Sequence, residues 1–117
     1  SLERELLEER LAKGFDWESV EVWLQMCRWA GGEPIAYHDD FARLDIPLLV
    51  IAGDHDALAK PEDARACYEA SGSTDREFVI FDRYNNQVHW GHLDLILGRK
   101  APEETWPVLL KWLADRC

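Results

Sequence analysis

No apolar run in this chain approaches the roughly 18 to 20 residues that a membrane span requires, and its opening SLERELLEER is charged rather than signal-like. A soluble, cytoplasmic protein is expected. Positive charge is also scarce: 13 Lys and Arg stand against 23 Asp and Glu, a formal charge of −10, which repels phosphate backbones and anionic lipid alike. Nucleic acid and membrane surfaces are therefore not expected partners. Cysteine is sparse and odd in number, and Cys27, Cys67 and Cys117 fit neither a disulfide framework nor a zinc ligand set. Free thiols are expected, the first two on apolar helix faces. No repeat, low-complexity tract or Gly/Ser linker divides the 117 residues, so a single domain over 1–117 is expected. The only methionine is Met26 and the chain opens at Ser1, as expected of a processed product or an artificial left-hand boundary.

With so little punctuation, periodicity carries the organisation. Residues 1–36 read as helical. Leu2, Leu6, Leu7 and Leu11 lie near one side of a helix over 2–13 that Ser1 can cap and Gly14 can end. Val20, Trp23, Leu24 and Cys27 then recur at i, i+3, i+4 and i+7, with Asp16 as the expected N-cap and Gly31 and Gly32 as the stop. A polar loop holds Tyr37, His38, Asp39 and Asp40. Residues 41–117 read as strand, helix, strand, loop and helix. Residues 48–52 are continuously apolar, as in a strand covered on both faces. Pro61, Glu62 and Asp63 suit a helix start, and FVIF at 78–81 is a second short apolar strand. Trp106, Leu109, Leu110 and Leu113 mark a last helix, which either Pro102 or Pro107 can open.

Strand, helix, strand in that order predicts an α/β fold with two parallel strands and flanking helices. Two strands are too few. A two-stranded parallel sheet has two open edges and little apolar area to offset chain entropy, so its completion is expected from missing sequence, a partner chain or a second copy.

In open α/β sheets the reactive groups sit in loops just beyond the carboxyl ends of the strands. GDHD, residues 53–56, occupies that place after the first strand, and the loop after the second carries His89 and His92. An aspartate after one parallel strand and a histidine after the next can meet, the carboxylate accepting from one ring nitrogen so that the other acts as a base.

At these residues the chain resembles the C-terminal part of the α/β-hydrolases. PLLVIAGDHD is similar to the family's apolar strand followed by G-x-x-D, which places the triad acid on Asp56 with Gly53 as its glycine. GHLDLILG is similar to the G-H-x-D-x-x-x-G box of lipase-like and polyester-synthase-like members, which places the triad histidine on His92. APEETWPVLLKWL resembles the closing amphipathic helix, and VEVWLQMCRWAGGEP the helix before the acid strand in some members. The resemblance implies acyl hydrolysis of the esterase or lipase kind on a small-molecule ester, with no cofactor.

The chain departs from that pattern at the nucleophile. The family order is Ser, Asp or Glu, His, with the serine in G-x-S-x-G on a strand-to-helix turn; Ser1, Ser19, Ser71 and Ser73 match no such motif. Ser19 reads as lying inside a helix, and no oxyanion hole is recognisable.

Blander roles are expected for the remaining polar residues. Asp54 reads as a turn residue, Asp94 as a turn or helix cap, and His38 and His55 as structural or exposed; His89 competes with His92 for the role of base. A metal set of His55, Asp56, His89 and His92 lacks any fixed-spacing motif, so no metal is expected. Of Trp17, Trp23, Trp29, Trp90, Trp106 and Trp112, most fall at helical spacing as core or interface residues; Trp90, in the histidine loop, is the exception and is expected to line an acyl pocket.

Two functions follow. In one, the chain is the C-terminal portion of a serine hydrolase, Asp56 orienting His92 toward a serine supplied by another sequence. In the other, it is a non-catalytic module derived from the same fold that pairs its orphan strands with a partner or with itself.

Overall fold

The computed structural model describes residues 18–35 and 37–116, together with Glu8. The helix expected over 2–13 and the cap expected at Asp16 fall outside this set, as do Ser1, Trp17, Cys117 and the side chain of His38.

Helix α1 (Val20–Ala30) begins two residues after Glu18 because Ser19 caps it, its Oγ accepting the Val22 N–H at 3.2 Å. Ser19 is thus the helix's flanking residue rather than an interior one. The Gly31 N–H closes the other end on the Cys27 carbonyl at 2.9 Å, and Gly32 turns the chain away at φ +93°. The apolar stripe is present but bare: Val20, Trp23 and Leu24 are more than half exposed. Cys27 and Cys67 are exposed free thiols, so their helix faces are not core faces. A single turn, α2 (His38–Phe41), replaces part of the expected polar loop.

Strand β1 (Leu48–Gly53) leads to α3 (Pro61–Ala70), and β2 (Arg76–Phe81) returns parallel to β1 in a register from Leu48↔Arg76 to Gly53↔Phe81. Pro61 opens α3, with Glu62 and Asp63 in its first turn. β2 starts ahead of the FVIF run because Arg76 and Glu77 already pair with Leu48 and Leu49. Arg76 also closes α3: its Nη1 donates to the carbonyls of Tyr68 and Ser71, each at 2.7 Å, where a helix end leaves acceptors unfilled. The helix packs on both strands, with Tyr68 against Phe78 at 5.8 Å between ring centroids.

Three helices follow. α4 (Arg83–Asn86) is a turn capped by Asp82, whose Oδ1 accepts from the N–H groups of Tyr84 and Asn85 at 2.8 Å each. Gln87, at φ +67°, then reverses the chain toward the end of β1. α5 (Asp94–Leu97) leads to α6 (Thr105–Ala114), which neither Pro102 nor Pro107 opens: it starts at Thr105, with Pro107 inside the first turn. Thr105 is fully buried because its hydroxyl joins the two helices, donating to the Leu95 carbonyl at 2.5 Å.

The core sits under the carboxyl ends of the strands. Phe81, Trp90, Leu95 and Ala101 form it, with Ile51, Val79 and Val108 packed against it. Trp90 is fully buried with its ring 5.5 Å from that of Phe81, so it is a core residue, and it also borders a cavity of about 220 Å³ together with His89 and Asp94. Elsewhere apolar cover is thin. Residues 48–51 are half-buried rather than enclosed, Ile80 is 38% exposed, and Leu110 and Leu113 on α6 are at least half exposed. Among the described residues the sheet has two strands only, a partial α/β fold in which each strand has an edge without a neighbour. No helix among them is long and apolar enough to cross a membrane.

Candidate functional site

The loop after β1 and the loop after β2 are drawn together by backbone contacts. A Cβ built on Gly53 would lie 2.4 Å from the Trp90 carbonyl oxygen, so only glycine lets the two chains approach this closely. Immediately beyond, the His55 N–H donates to that Trp90 carbonyl at 3.0 Å, and the Asp54 N–H donates to the Phe81 carbonyl at 3.0 Å. The Asp56 N–H returns to the Gly53 carbonyl at 3.1 Å, forming the turn that aims the next carboxylate back over the strand ends.

Asp56 and His92 meet there. Oδ2 of Asp56 lies 2.8 Å from Nδ1 of His92, while Oδ1 accepts the N–H groups of Leu58 and Ala59 at 2.9 Å each. Burial alone would push the Asp56 carboxyl up. The Ala59 N–H, the His92 ring and the Leu58 N–H outweigh it and hold the pKa below the ordinary aspartate value. An ionised carboxylate accepts and cannot donate, so Nδ1 is the donor of this bond, and the tautomer of the neutral ring that fits it has its lone pair on Nε2. The carboxylate is almost wholly enclosed, with 3% of its side chain exposed against 47% for the histidine, so the anion is fixed and the ring is reachable. The ring borders a shallow cleft of about 310 Å³, also lined by His55, Ala57, Leu58, Gly91, Leu93 and Asp94. Asp94 shapes this rim, its Oδ2 accepting the Gly91 N–H at 3.0 Å.

Alongside stands a second pair that the sequence does not announce. Asp54, expected only to turn the chain, places Oδ2 2.6 Å from Nδ1 of His89 and accepts the Trp90 N–H on Oδ1 at 2.8 Å. Its pKa is also lowered: burial opposes the shift, and the Trp90 N–H, His89 and the Arg83 N–H overcome it. His89 therefore binds Asp54, leaving Asp56 to His92. His55 is exposed, as expected, and stacks on His89 with ring centroids 3.8 Å apart and planes at 23°. The signal for this pair is the alternation in GDHD set against H-W-G-H: aspartates two apart face histidines three apart. The grouping of His55, Asp56, His89 and His92 weighed from sequence is not the one that forms. Asp54, His55 and His89 instead bring ligand atoms within 4.8 Å of one another.

The described serines stand away from both pairs. Ser19 caps α1, and Ser71 and Ser73 lie between α3 and the start of β2, at the opposite end of the strands from Asp56. Ser71 Oγ accepts the Ser73 N–H at 3.1 Å and Ser73 Oγ donates to the Asp75 carbonyl at 3.0 Å, so both are buried within that turn.

Among known proteins, the poly(3-hydroxyalkanoate) polymerase subunit PhaC of Haloferax mediterranei is 29% identical over 77 residues, 66% of this chain and 14% of that one. The PhaC subunit of Haloarcula marismortui is 25% identical over 79 residues, 68% of this chain and 15% of that one. This chain is similar to PhaC at low identity over part of its length. It spans about one seventh of the length of these PhaC relatives. No family model matches the chain, and no solved structure matches it.

Proposed function

We propose that this chain supplies the acid and the base of an acyl-transfer site of the α/β-hydrolase kind, with Asp56 orienting His92 and His92 Nε2 accepting the proton of a serine that these residues do not provide. The observation that carries this reading is the 2.8 Å bond from a buried, doubly N–H-held carboxylate to an exposed imidazole at the carboxyl ends of two parallel strands. The enclosed anion fixes the tautomer and stabilises the imidazolium that forms when the proton is taken. The similarity to poly(3-hydroxyalkanoate) polymerase subunits supports acyl chemistry, since a poly(3-hydroxyalkanoate) is a polyester, and suggests a hydroxyacyl ester as the substrate class. Acyl transfer of this type needs no cofactor.

The test begins with the intact mass of the polypeptide in its source, where a product several times the 13.6 kDa of these 117 residues is expected, in line with PhaC relatives about seven times as long as the matched segment. In that native polypeptide His92→Ala should lower ester turnover by about 10²- to 10⁴-fold, the usual worth of a general base. The 117-residue chain alone should show no turnover above buffer. Full activity in the His92→Ala polypeptide would overturn the reading.

A second reading rests on the open sheet edges and the bare stripe of α1: the chain is a module that pairs its strands with another copy of itself. Sedimentation should then show a stable dimer. A monomer with sharp, cooperative unfolding would reject it.

A further inference from the structure

The contact between the two loops holds a cluster that the proposed acyl chemistry does not use. Asp54, His55 and His89 each offer one ligand atom, and these atoms lie within 4.8 Å of one another. The site is braced by backbone: the Asp54 N–H on Phe81, the His55 N–H on Trp90, and the Trp90 N–H on Asp54 Oδ1 at 2.8 Å. That last bond is the kind of outer partner that orients a ligating carboxylate. Asp54 Oδ2 and His89 Nδ1 are already 2.6 Å apart. An ion about 2.0–2.2 Å from each atom replaces their shared proton if the pair opens by under about 1 Å. The stacked ring of His55 brings a second imidazole alongside. His55 and His89 are both exposed, so water can fill further coordination positions.

We infer that Asp54, His55 and His89 bind one divalent transition-metal ion of the zinc class, which clamps the loop after β1 to the loop after β2. Two imidazole nitrogens and one carboxylate oxygen suit Zn²⁺ and its neighbours in the first transition row, whereas Mg²⁺ and Ca²⁺ are held by oxygen sets. The formal charge of −10 favours cation capture. Asp56 and His92 stay outside the site, each engaged with the other. The metal site does not rest on the acyl-transfer reading.

The experiment titrates the purified chain with Zn²⁺ by calorimetry and with Co²⁺ by visible absorption, followed by thermal melts with and without chelator. One equivalent should bind, the Co²⁺ form should show d–d bands of a low-coordinate nitrogen and oxygen site, and bound Zn²⁺ should raise Tm in a chelator-reversible way. His55→Ala and His89→Ala should each weaken binding by at least the roughly 10- to 100-fold that loss of an outer-shell partner costs, while His92→Ala should leave it unchanged. Both altered histidines are exposed, so far-UV circular dichroism should stay that of the parent chain, and His55→Ala serves if His89→Ala fails to fold. Absence of binding, binding as tight as the parent's in both His55→Ala and His89→Ala, or loss only in His92→Ala would overturn the inference.

Discussion

Oδ2 of Asp56 lies 2.8 Å from Nδ1 of His92, although the two residues are 36 positions apart in the chain. The aspartate is enclosed and also accepts two backbone N–H groups, so the carboxylate holds its own loop as well as the His92 ring. Asp56→Asn keeps the shape but turns one oxygen into a donor, which then faces the donor Nδ1 of His92. The expected loss is about 1–3 kcal/mol, the usual cost of leaving a buried polar group unmatched. It is read as a lower urea midpoint with an unchanged slope. A variant as stable as the parent would show that the bond is not held in solution.

Gly53→Ala tests how the site is assembled. Its Cβ would lie 2.4 Å from the Trp90 carbonyl oxygen, a backbone atom that cannot swing aside. The loops must separate, breaking the His55 to Trp90 bond and drawing His92 from Asp56. Overpacking of this sort costs about 1–3 kcal/mol. Stability equal to the parent chain would contradict the close approach.

The acid and histidine loops are legible in the sequence because a glycine ends each approach to the site and the apolar runs before them are unbroken. The Asp54–His89 pair is not. GDHD offers two carboxylates and the later loop two histidines, and only the Gly53↔Phe81 register together with α4 decides which faces which. α4 itself has no apolar period; its one sequence signal is Asp82 standing ahead of RYNN as a cap. The stripe on α1 shows the complementary failure, since periodicity reports that a face is apolar and not that anything covers it. The core role of Trp90 is hidden for a similar reason: loop position suggests a pocket wall, and only the packing on Phe81 makes it a core residue as well.

So small a core makes Trp90 decisive. It is fully buried between the strand ends and α5 in a cluster completed by Phe81, Leu95 and Ala101. Trp90→Ala should cost about 3–5 kcal/mol, enough to unfold a chain of marginal stability. Its Nε1 has no hydrogen-bond partner among the described residues, so Trp90→Phe sacrifices volume without breaking a bond and should cost less. Equal losses in the two variants, by urea unfolding, would assign the role to the indole N–H instead.

The pH dependence of stability should be visible far from the site, at Asp75. Arg116 grips it with two bonds, Nε to Oδ2 at 2.7 Å and Nη2 to Oδ1 at 2.6 Å, tying the end of α6 to the start of β2. The hydrogen bond from Arg116 holds the Asp75 carboxyl below its ordinary value, a slight burial opposing and the guanidinium charge assisting. A folded-state pKa below the unfolded one of about 3.9 means that the pair stabilises the fold above that value. The contribution is lost as pH falls through the lowered folded-state pKa. Asp75→Asn should therefore melt below the parent at pH 7, and the two melting curves should converge as the pH is lowered past that range. Salt should narrow the gap at pH 7, because the pair is partly exposed. A gap that persists unchanged into acid would mean that the Asp75 side chain does not stabilise the fold through its charge.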